Sequence, residues 1–146
     1  DYTRIVGVPL GATAEVIKCS ALKHCYERID PSVSEYLMLY LFCPEIYICG
    51  SISINGLKNS SGYSVTVDTP EDLIRTRRIF SLYFNNPINI TTKEILTIID
   101  DNHLYDTVIS GTDLVKMPYG VEITFSEFQE NMHQRHVASK QFSLGI

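Results

Sequence analysis

The sequence lacks the short motifs that mark the commonest nucleotide-binding and hydrolytic sites. It contains no G-x-x-x-x-G-K-[ST] loop, no G-x-G-x-x-G turn and no G-x-S-x-G elbow. A P-loop, a dinucleotide-binding turn and an α/β-hydrolase nucleophile are therefore excluded as local features of this chain. Any chemistry that the chain performs has to come from residues outside these signatures.

The sequence also lacks a long apolar run and an excess of basic residues. A membrane-spanning helix needs about 20 apolar residues, and the longest candidate run, Tyr36 to Phe42, is far shorter. The net charge of −5 argues against a general nucleic-acid binder, because such proteins are usually basic. No secretory signal is present, so we expect a cytoplasmic protein without membrane or nucleic-acid partners. The chain begins at Asp1 rather than Met, and we expect a fragment or a processed product.

The four cysteines include no C-x-x-C pair, which argues against a zinc ribbon. Cys19 and Cys25 fall in apolar helical surroundings, and Cys49 follows a strand-like segment, so we expect buried free thiols. His133 and His136 are one helical turn apart, a spacing that can bind metal. Two ligands are too few for a structural site, and we interpret this pair as exposed.

What is present is the composition of an ordinary folded domain. The chain has 146 residues, of which 45% are hydrophobic and 20% are charged, which is enough for one substantial core. Strand-like and helix-like segments alternate along it, which predicts an α/β fold. The predicted strands are Ile5–Leu10, Ile46–Ile54 and Tyr63–Val67.

Helix-start signals place the predicted helices. A helix begins near Ser20, and capping-box pairs precede three others. These pairs are Ser32 with Glu35, Thr91 with Glu94, and Thr124 with Glu127. A further helix follows Thr69 and continues to about Phe84. Its helical spacing is carried by Leu73, Arg77, Phe80 and Phe84 and supported by Ile79 and Tyr83.

The most informative stretch runs from Val67 to Leu73. A predicted strand ends at Asp68, Thr69 can cap the next helix, and Pro70 suits its first position. In open α/β sheets, ligands collect at the carboxyl ends of strands, and a carboxylate there can hold magnesium against a phosphate. The structural alternative is an acid that only complements the helix dipole, and spacing alone favours that alternative.

Two other features carry possible chemistry and a structural alternative. Glu15 follows a glycine turn and can accept hydrogen bonds from a sugar hydroxyl, although a surface carboxylate is the commoner outcome. Arg75, Arg77 and Arg78 form a basic cluster that can pair with a phosphate. We interpret these arginines as a solvated helix face, with Glu71 and Arg75 as an i,i+4 pair.

The order of these features resembles a known family. The stretch Val67–Leu73, running into Arg77-Arg78-Ile79-Phe80, resembles the carboxyl-terminal signature of CMP-sugar synthetases and is most similar to that of spore-coat SpsF-like cytidylyltransferases. Gly11–Ile17 resembles the family's segment with Glu and Val, and Thr92–Leu96 resembles its closing helix. Glu35–Glu45 resembles the segment in which a Tyr precedes a Pro-Glu. The resemblance covers about Val8 to Asn102.

The resemblance implies a nucleotide-diphospho-sugar-transferase-like α/β sandwich that joins CTP to an acidic or amino sugar and releases pyrophosphate. By position, Asp68 corresponds to a magnesium ligand and Glu15 to a residue of the sugar pocket. A place in polysaccharide biosynthesis follows from the same resemblance. Residues 1–106 are then the carboxyl-terminal half of the domain and residues 107–146 a helical tail.

The departures from the family are as informative. The nucleotide-binding front half, with its loop and its first metal aspartate, has no counterpart in this chain. Thr13 stands where an acid is usual, Tyr36 where His is usual, and Met38-Leu39 replaces a polar pair. We therefore expect no catalysis by these residues alone. The alternative is a degenerate half-domain that serves dimerisation or ligand binding, and an exposed sheet edge favours self-association in both cases.

Overall fold

The computed structural model describes residues 1–30, 32, 37–84 and 87–145. The fold is mixed α/β, as the alternating pattern predicts, with five α-helices in the described part of the chain. The chain divides into two compact units. Unit 1 contains Asp1–Val6, Ala14–Gly56 and Gly111–Ile146, and unit 2 contains Gly7–Thr13 and Leu57–Ser110.

Unit 1 is built on a mixed four-stranded sheet. Its strands are β1 (Tyr2–Ile5), β2 (Glu15–Ile17), β3 (Cys49–Ile54) and β6 (Lys140–Leu144), in the order β2-β1-β3-β6. β1 pairs antiparallel with β2 and parallel with β3, and β3 pairs parallel with β6. The segment that the sequence analysis assigns to a tail therefore supplies an edge strand of this sheet.

Helices pack on one face of the sheet in unit 1. Helix α1 (Cys19–Arg28) supplies Ala21 and Cys25 to the core, and the short helix α2 (Leu37–Leu41) supplies Leu41. The buried core side chains are Tyr2, Ala21, Cys25, Leu41, Phe42, Tyr47 and Cys49. The cysteines are free, as predicted, but only Cys25 and Cys49 are buried, while Cys19 is exposed and Cys43 is half-buried.

The remaining elements of unit 1 are a hairpin and a long helix. Strands β4 (Leu114–Lys116) and β5 (Glu122–Thr124) pair antiparallel, and α5 (Phe125–Ala138) follows directly. Thr124 and Glu127 form the predicted capping box at its start. On this helix Arg135 donates to the carbonyl oxygens of Leu39 and Phe42, at 2.7 and 2.6 Å. These carbonyls lie at the end of α2, where a cation is favourable.

Unit 2 consists of two capped helices over a small core. Helix α3 (Pro70–Ser81) begins after Thr69, and helix α4 (Thr92–Asp101) begins after Thr91, each with a capping box. The partner acids are Asp72 and Glu94. The core contains Ile79, Ile99 and Leu104, against which Tyr63, Val65, Leu82, Ile95 and Ile98 pack.

The structure corrects the predicted strand at Tyr63–Val67. Only Tyr63 and Ser64 form β-bridges, to Val108 and Leu10 respectively, and the backbone from there to Asp68 is outside any strand. A strand forms only when a neighbouring strand takes up its ladder hydrogen bonds, and alternation in the sequence does not supply that neighbour. Asp68 therefore follows an extended segment rather than a buried sheet strand.

The structure shows which face of α3 is buried. Among the residues at the predicted helical spacing, Leu73 is 41% exposed and Phe80 is 39% exposed, whereas the supporting Ile79 is buried. The buried face carries Ile79 and Arg75, the latter only 9% exposed, so the interpretation of Arg75 as solvated is wrong. Arg75 forms an ion pair with Asp72 at 2.8 Å rather than the expected pair with Glu71.

Two residues named in the sequence analysis lie in a part of the chain that the structure does not describe. Glu35, the proposed capping partner of Ser32, and Tyr36 lie outside the described residues. Of the helix predicted for that region, the structure describes the part that forms α2. In the described part of the chain, no helix combines the length and the apolar character needed to cross a membrane.

Candidate functional site

Glu15 lies in a polar cluster on the β1–β2 hairpin of unit 1. It is the first residue of β2, and the antiparallel register places it opposite Arg4 of β1. Arg4 Nη1 lies 4.0 Å from Glu15 Oε1, with side chains that are 13% and 26% exposed. This separation is at the outer limit of an ion pair, so the two groups attract each other without a direct hydrogen bond.

The guanidinium of Arg4 is enclosed and incompletely bonded. It lies over the ring of Phe42, at 5.6 Å from the centroid, in a cation–π contact. Its Nε and Nη1 are buried and have no hydrogen-bond partner among the described residues. Buried donors without partners are costly and rare in folded proteins. Arg4 therefore has donor capacity that the described protein does not use.

Tyr2 adds a second donor on the same face of β1, because residues two apart point to the same side of a strand. Its side chain is fully buried against Phe42, and its hydroxyl also has no partner that meets hydrogen-bond geometry among the described residues. Burial raises the pKa of Tyr2 well above its usual range, Arg4 lowers it, and Glu15 raises it further. The hydroxyl is therefore protonated at neutral pH and available as a donor.

Tyr2, Arg4 and Glu15 together form what we call the hairpin cluster. Its carboxylate accepts hydrogen bonds, while the guanidinium and the phenol donate them. Glu15 is the member that reaches solvent, whereas Tyr2 forms the enclosed end. Such a set can bind a small polar molecule that carries hydroxyl groups and an anionic group.

A second polar group lies deeper in the same unit. Ser51 on β3 is fully buried, and its Oγ lies 2.7 Å from His136 Nδ1 and 2.9 Å from Ser139 Oγ. Burial lowers the pKa of His136, and the nearby His133 lowers it further. The expectation that both histidines are exposed holds for His133 and is wrong for His136, which is half-buried and bonded to the sheet. This network ties α5 to β3.

Asp68 lies in unit 2, immediately before α3, and its residue is exposed. Its backbone N–H donates to Asp72 Oδ2 at 3.1 Å, and the N–H of Thr69 donates to the same oxygen at 2.9 Å. These backbone bonds lower the pKa of Asp72, with the Asp68 N–H contributing most. The other oxygen of Asp72 contacts Arg75. Asp72 is therefore committed to the helix start.

The residues around Asp68 do not make a metal site by themselves. Among the residues that the structure describes, no group of three or more His, Cys, Asp or Glu side chains can hold a metal ion. Magnesium requires about six oxygen ligands, of which one or two are commonly carboxylates. Asp68 can supply one carboxylate, whereas the carboxylate of Asp72 in the first turn of α3 is already engaged.

The structure thus places the two predicted site residues in different units and adds neighbours that the sequence analysis missed. Tyr2 and Arg4 join Glu15, while Ser51 and Ser139 join His136. The Tyr-Thr-Arg alternation is a signal for Tyr2 and Arg4 on one strand face. Their pairing with Glu15 is not visible without the register of the hairpin.

Comparison with known proteins does not assign the chain to a family. No protein-family model matches it. Neither a curated protein nor a solved structure shows significant similarity.

Proposed function

We propose that this chain is the carboxyl-terminal, sugar-binding half of a cytidylyltransferase that activates an acidic or amino sugar with CTP. The complete enzyme would have a nucleotide-diphospho-sugar-transferase-like fold and release a CMP-sugar and pyrophosphate. The resemblance of Gly11–Ile17 and Val67–Leu73 to that family motivates the proposal. The observation that carries it is the hairpin cluster, in which Arg4 and Tyr2 hold buried donors without partners beside Glu15.

The chemistry of the cluster suits an acidic sugar. A sugar carboxylate can accept hydrogen bonds from the Arg4 guanidinium. Such hydrogen bonds are strongest when both the donor and the acceptor are charged. Glu15 can accept hydrogen bonds from ring hydroxyls or from an ammonium group, and Tyr2 can donate to a remaining oxygen. Ligand binding would satisfy donors that are costly when empty, so the gain is larger than for solvated groups.

Asp68 has a separate role in this proposal. In the complete enzyme it would supply one carboxylate to a magnesium ion, with the other ligands coming from phosphate oxygens and from residues outside this chain. When bound, that ion would neutralise charge on the phosphates as the sugar oxygen attacks. Asp72, four residues further along, does not serve as a second ligand, because its carboxylate is engaged by the helix cap and by Arg75.

Sugar binding to the chain tests the proposal directly. Two-dimensional NMR titrations with N-acetylneuraminate, glucosamine and glucose should give saturable shifts at Tyr2, Arg4 and Glu15 with the acidic or the amino sugar, and none with glucose. Glu15→Gln should raise the dissociation constant about tenfold, which corresponds to a loss of about 1.4 kcal/mol of binding free energy. Glu130→Gln, an exposed acid on α5, is the matched control. Absence of any saturable shift at the hairpin cluster would refute the proposal.

Nucleotide binding gives a second test. Because the nucleotide-binding front half has no counterpart here, calorimetry with CTP and magnesium should show no tight binding to this chain. Micromolar binding would contradict the assignment to the carboxyl-terminal half. In the complete enzyme, Asp68→Asn should reduce turnover steeply at limiting magnesium, and unchanged turnover would remove Asp68 from the metal site.

The second candidate function is a half-domain without catalysis that serves ligand binding or self-association. The observation in its favour is that Asp72, in the first turn of α3, is engaged by the helix cap and by Arg75. Under this alternative, Asp68→Asn leaves every activity of the complete protein unchanged. The sugar titration tests ligand binding under both candidate functions.

A further inference from the structure

The exposed face of α3 carries apolar side chains with a charged residue on either side of them. Ile74 is 66% exposed and Leu73 is 41% exposed, and Val67, just before the helix, is 51% exposed. Contiguous exposed apolar surface on a protein often marks an interaction site. The helix packs its opposite face on the core of unit 2 through Ile79, so this outer face is available to a partner.

Two opposite charges flank the centre of that face. Glu71 lies one turn before Ile74, and Arg78 lies about one turn after it, so the three residues follow an i, i+3, i+7 stripe. The separation of Glu71 and Arg78 is about 10.5 Å along the axis, from a rise of 1.5 Å per residue. That distance is too long for an ion pair within the helix. We call Glu71, Ile74 and Arg78 the α3 stripe.

Neither charge of the α3 stripe is used within the described chain. The ion pairs of the described residues include neither Glu71 nor Arg78. Asp72 and Arg75 of the same helix already pair with each other at 2.8 Å. The stripe therefore presents one unpaired acid and one unpaired base on either side of an exposed isoleucine.

We propose that the α3 stripe is an interface between two copies of this chain, in which the α3 helices pack antiparallel about a twofold axis beside Ile74. That operation brings Glu71 of each copy opposite Arg78 of the other, because both residues lie at nearly equal distances from the axis. The surface is thus self-complementary, as a twofold interface requires. The interface buries Ile74 of both copies at its centre and forms two ion pairs at its rim.

The charge pattern selects this partner over others. A parallel arrangement would place Glu71 against Glu71 and Arg78 against Arg78, which is repulsive. Binding of an unrelated partner would not require that Glu71 and Arg78 lie on opposite sides of Ile74 at nearly equal distances. The inference concerns α3 alone and does not depend on the cytidylyltransferase proposal.

Charge reversal tests the pairing in the full chain. Sedimentation equilibrium over a concentration series should show a monomer–dimer equilibrium for the unmodified chain. Glu71→Arg and Arg78→Glu should each raise the dimer dissociation constant at least about tenfold, because both ion pairs become repulsive. The double variant carrying both changes should restore dimerisation, since each pair is then re-formed with its charges exchanged.

Controls separate the interface from helix stability. Lys93→Glu on α4, an exposed lysine away from the stripe, should leave the equilibrium unchanged. Ile74→Glu should abolish the dimer while circular dichroism shows a retained helix. A chain that is monomeric throughout the series would overturn the proposal. So would a dimer that Glu71→Arg, Arg78→Glu and Ile74→Glu all leave intact, or single reversals that the double variant fails to rescue.

Discussion

Each compact unit encloses an arginine, and the two arginines differ in how fully their donors are bonded. Arg75 in unit 2 donates to the carbonyl oxygens of Asp106 and Thr66 and contacts the Asp72 carboxylate at 2.8 Å, and its Nε alone is buried without a partner among the described residues. Arg4 in unit 1 has two buried nitrogens without partners among the described residues, and its contacts are the cation–π contact with Phe42 and the 4.0 Å approach to Glu15. Similar burial thus accompanies different roles. The bonded donors of Arg75 hold the fold, whereas the two unused donors of Arg4 remain available to a ligand.

The elements around the two arginines explain the difference. Arg4 is a strand residue whose backbone already belongs to the four-stranded sheet, so unit 1 does not need its side chain to join segments. The described residues of unit 2 form only isolated β-bridges between their irregular segments. Arg75 reaches two of those segments and supplies the hydrogen bonds that a sheet would otherwise provide.

Removing each arginine in turn gives the largest expected effect. Arg75→Met should lower the free energy of unfolding by about 3 kcal/mol, because two carbonyls and a carboxylate lose a buried charged partner. Arg4→Met should change it by less than about 1 kcal/mol, because unsatisfied buried donors are removed along with the charge. Urea unfolding measures both, with exposed Arg77→Met as the control on α3. Equal losses for Arg4 and Arg75 would break the comparison.

Backbone substitutions in unit 2 should give the next largest effect. Gly11 has a φ of +90°, and a β-carbon built there lies 2.9 Å from the backbone nitrogen of Thr66. Gly11→Ala should cost about 1–3 kcal/mol from left-handed strain and this close approach. Gly62→Ala, where a β-carbon meets nothing within 4 Å, is the matched control. Thermal unfolding of both variants checks the difference, and a Gly11→Ala protein as stable as the control would contradict it.

Removing a helix cap should cost a similar free energy of unfolding in the two units. Thr69 in unit 2 and Thr124 in unit 1 each accept a hydrogen bond from the backbone N–H three residues ahead, at 3.2 Å in both cases. Replacing either with Ala should cost about 1 kcal/mol, whereas Ser should restore most of the loss. Denaturant midpoints measure this. A difference of several-fold between the two Ala variants would show that caps, like the arginines, depend on their unit.

The smallest effect should depend on pH and occur in unit 1. Burial lowers the pKa of His136 in the folded chain, whereas the unfolded value is about 6.5. The folded state therefore favours the neutral imidazole, and stability falls as the pH drops below about 6.5 toward the lowered folded pKa. His136→Gln should lose less stability between pH 7.5 and pH 5.5. Exposed His103→Asn should behave like the unmodified chain, and an unchanged slope for His136→Gln would exclude this linkage.

The candidate site was accessible to sequence reasoning only in part. Glu15 follows from its place after a glycine turn and from the family resemblance, but its neighbours Tyr2 and Arg4 do not, because their contact depends on hairpin register. Asp68 was predicted at the end of a strand, and the structure leaves it after an extended segment instead. Arg75 was predicted to be solvated, because local spacing does not show which face of a helix meets the core.

The sequence by itself determined where helices α3, α4 and α5 begin. Their starts depend on Thr and Asp or Glu side chains that bond backbone groups within three residues, and such short-range geometry is fixed by local order. Tertiary structure decided which faces are buried, whether Tyr63–Val67 gains a strand partner, and that β6 joins the sheet of β1 and β3. These outcomes depend on neighbours distant in sequence, whose hydrogen bonds and packing no local pattern encodes.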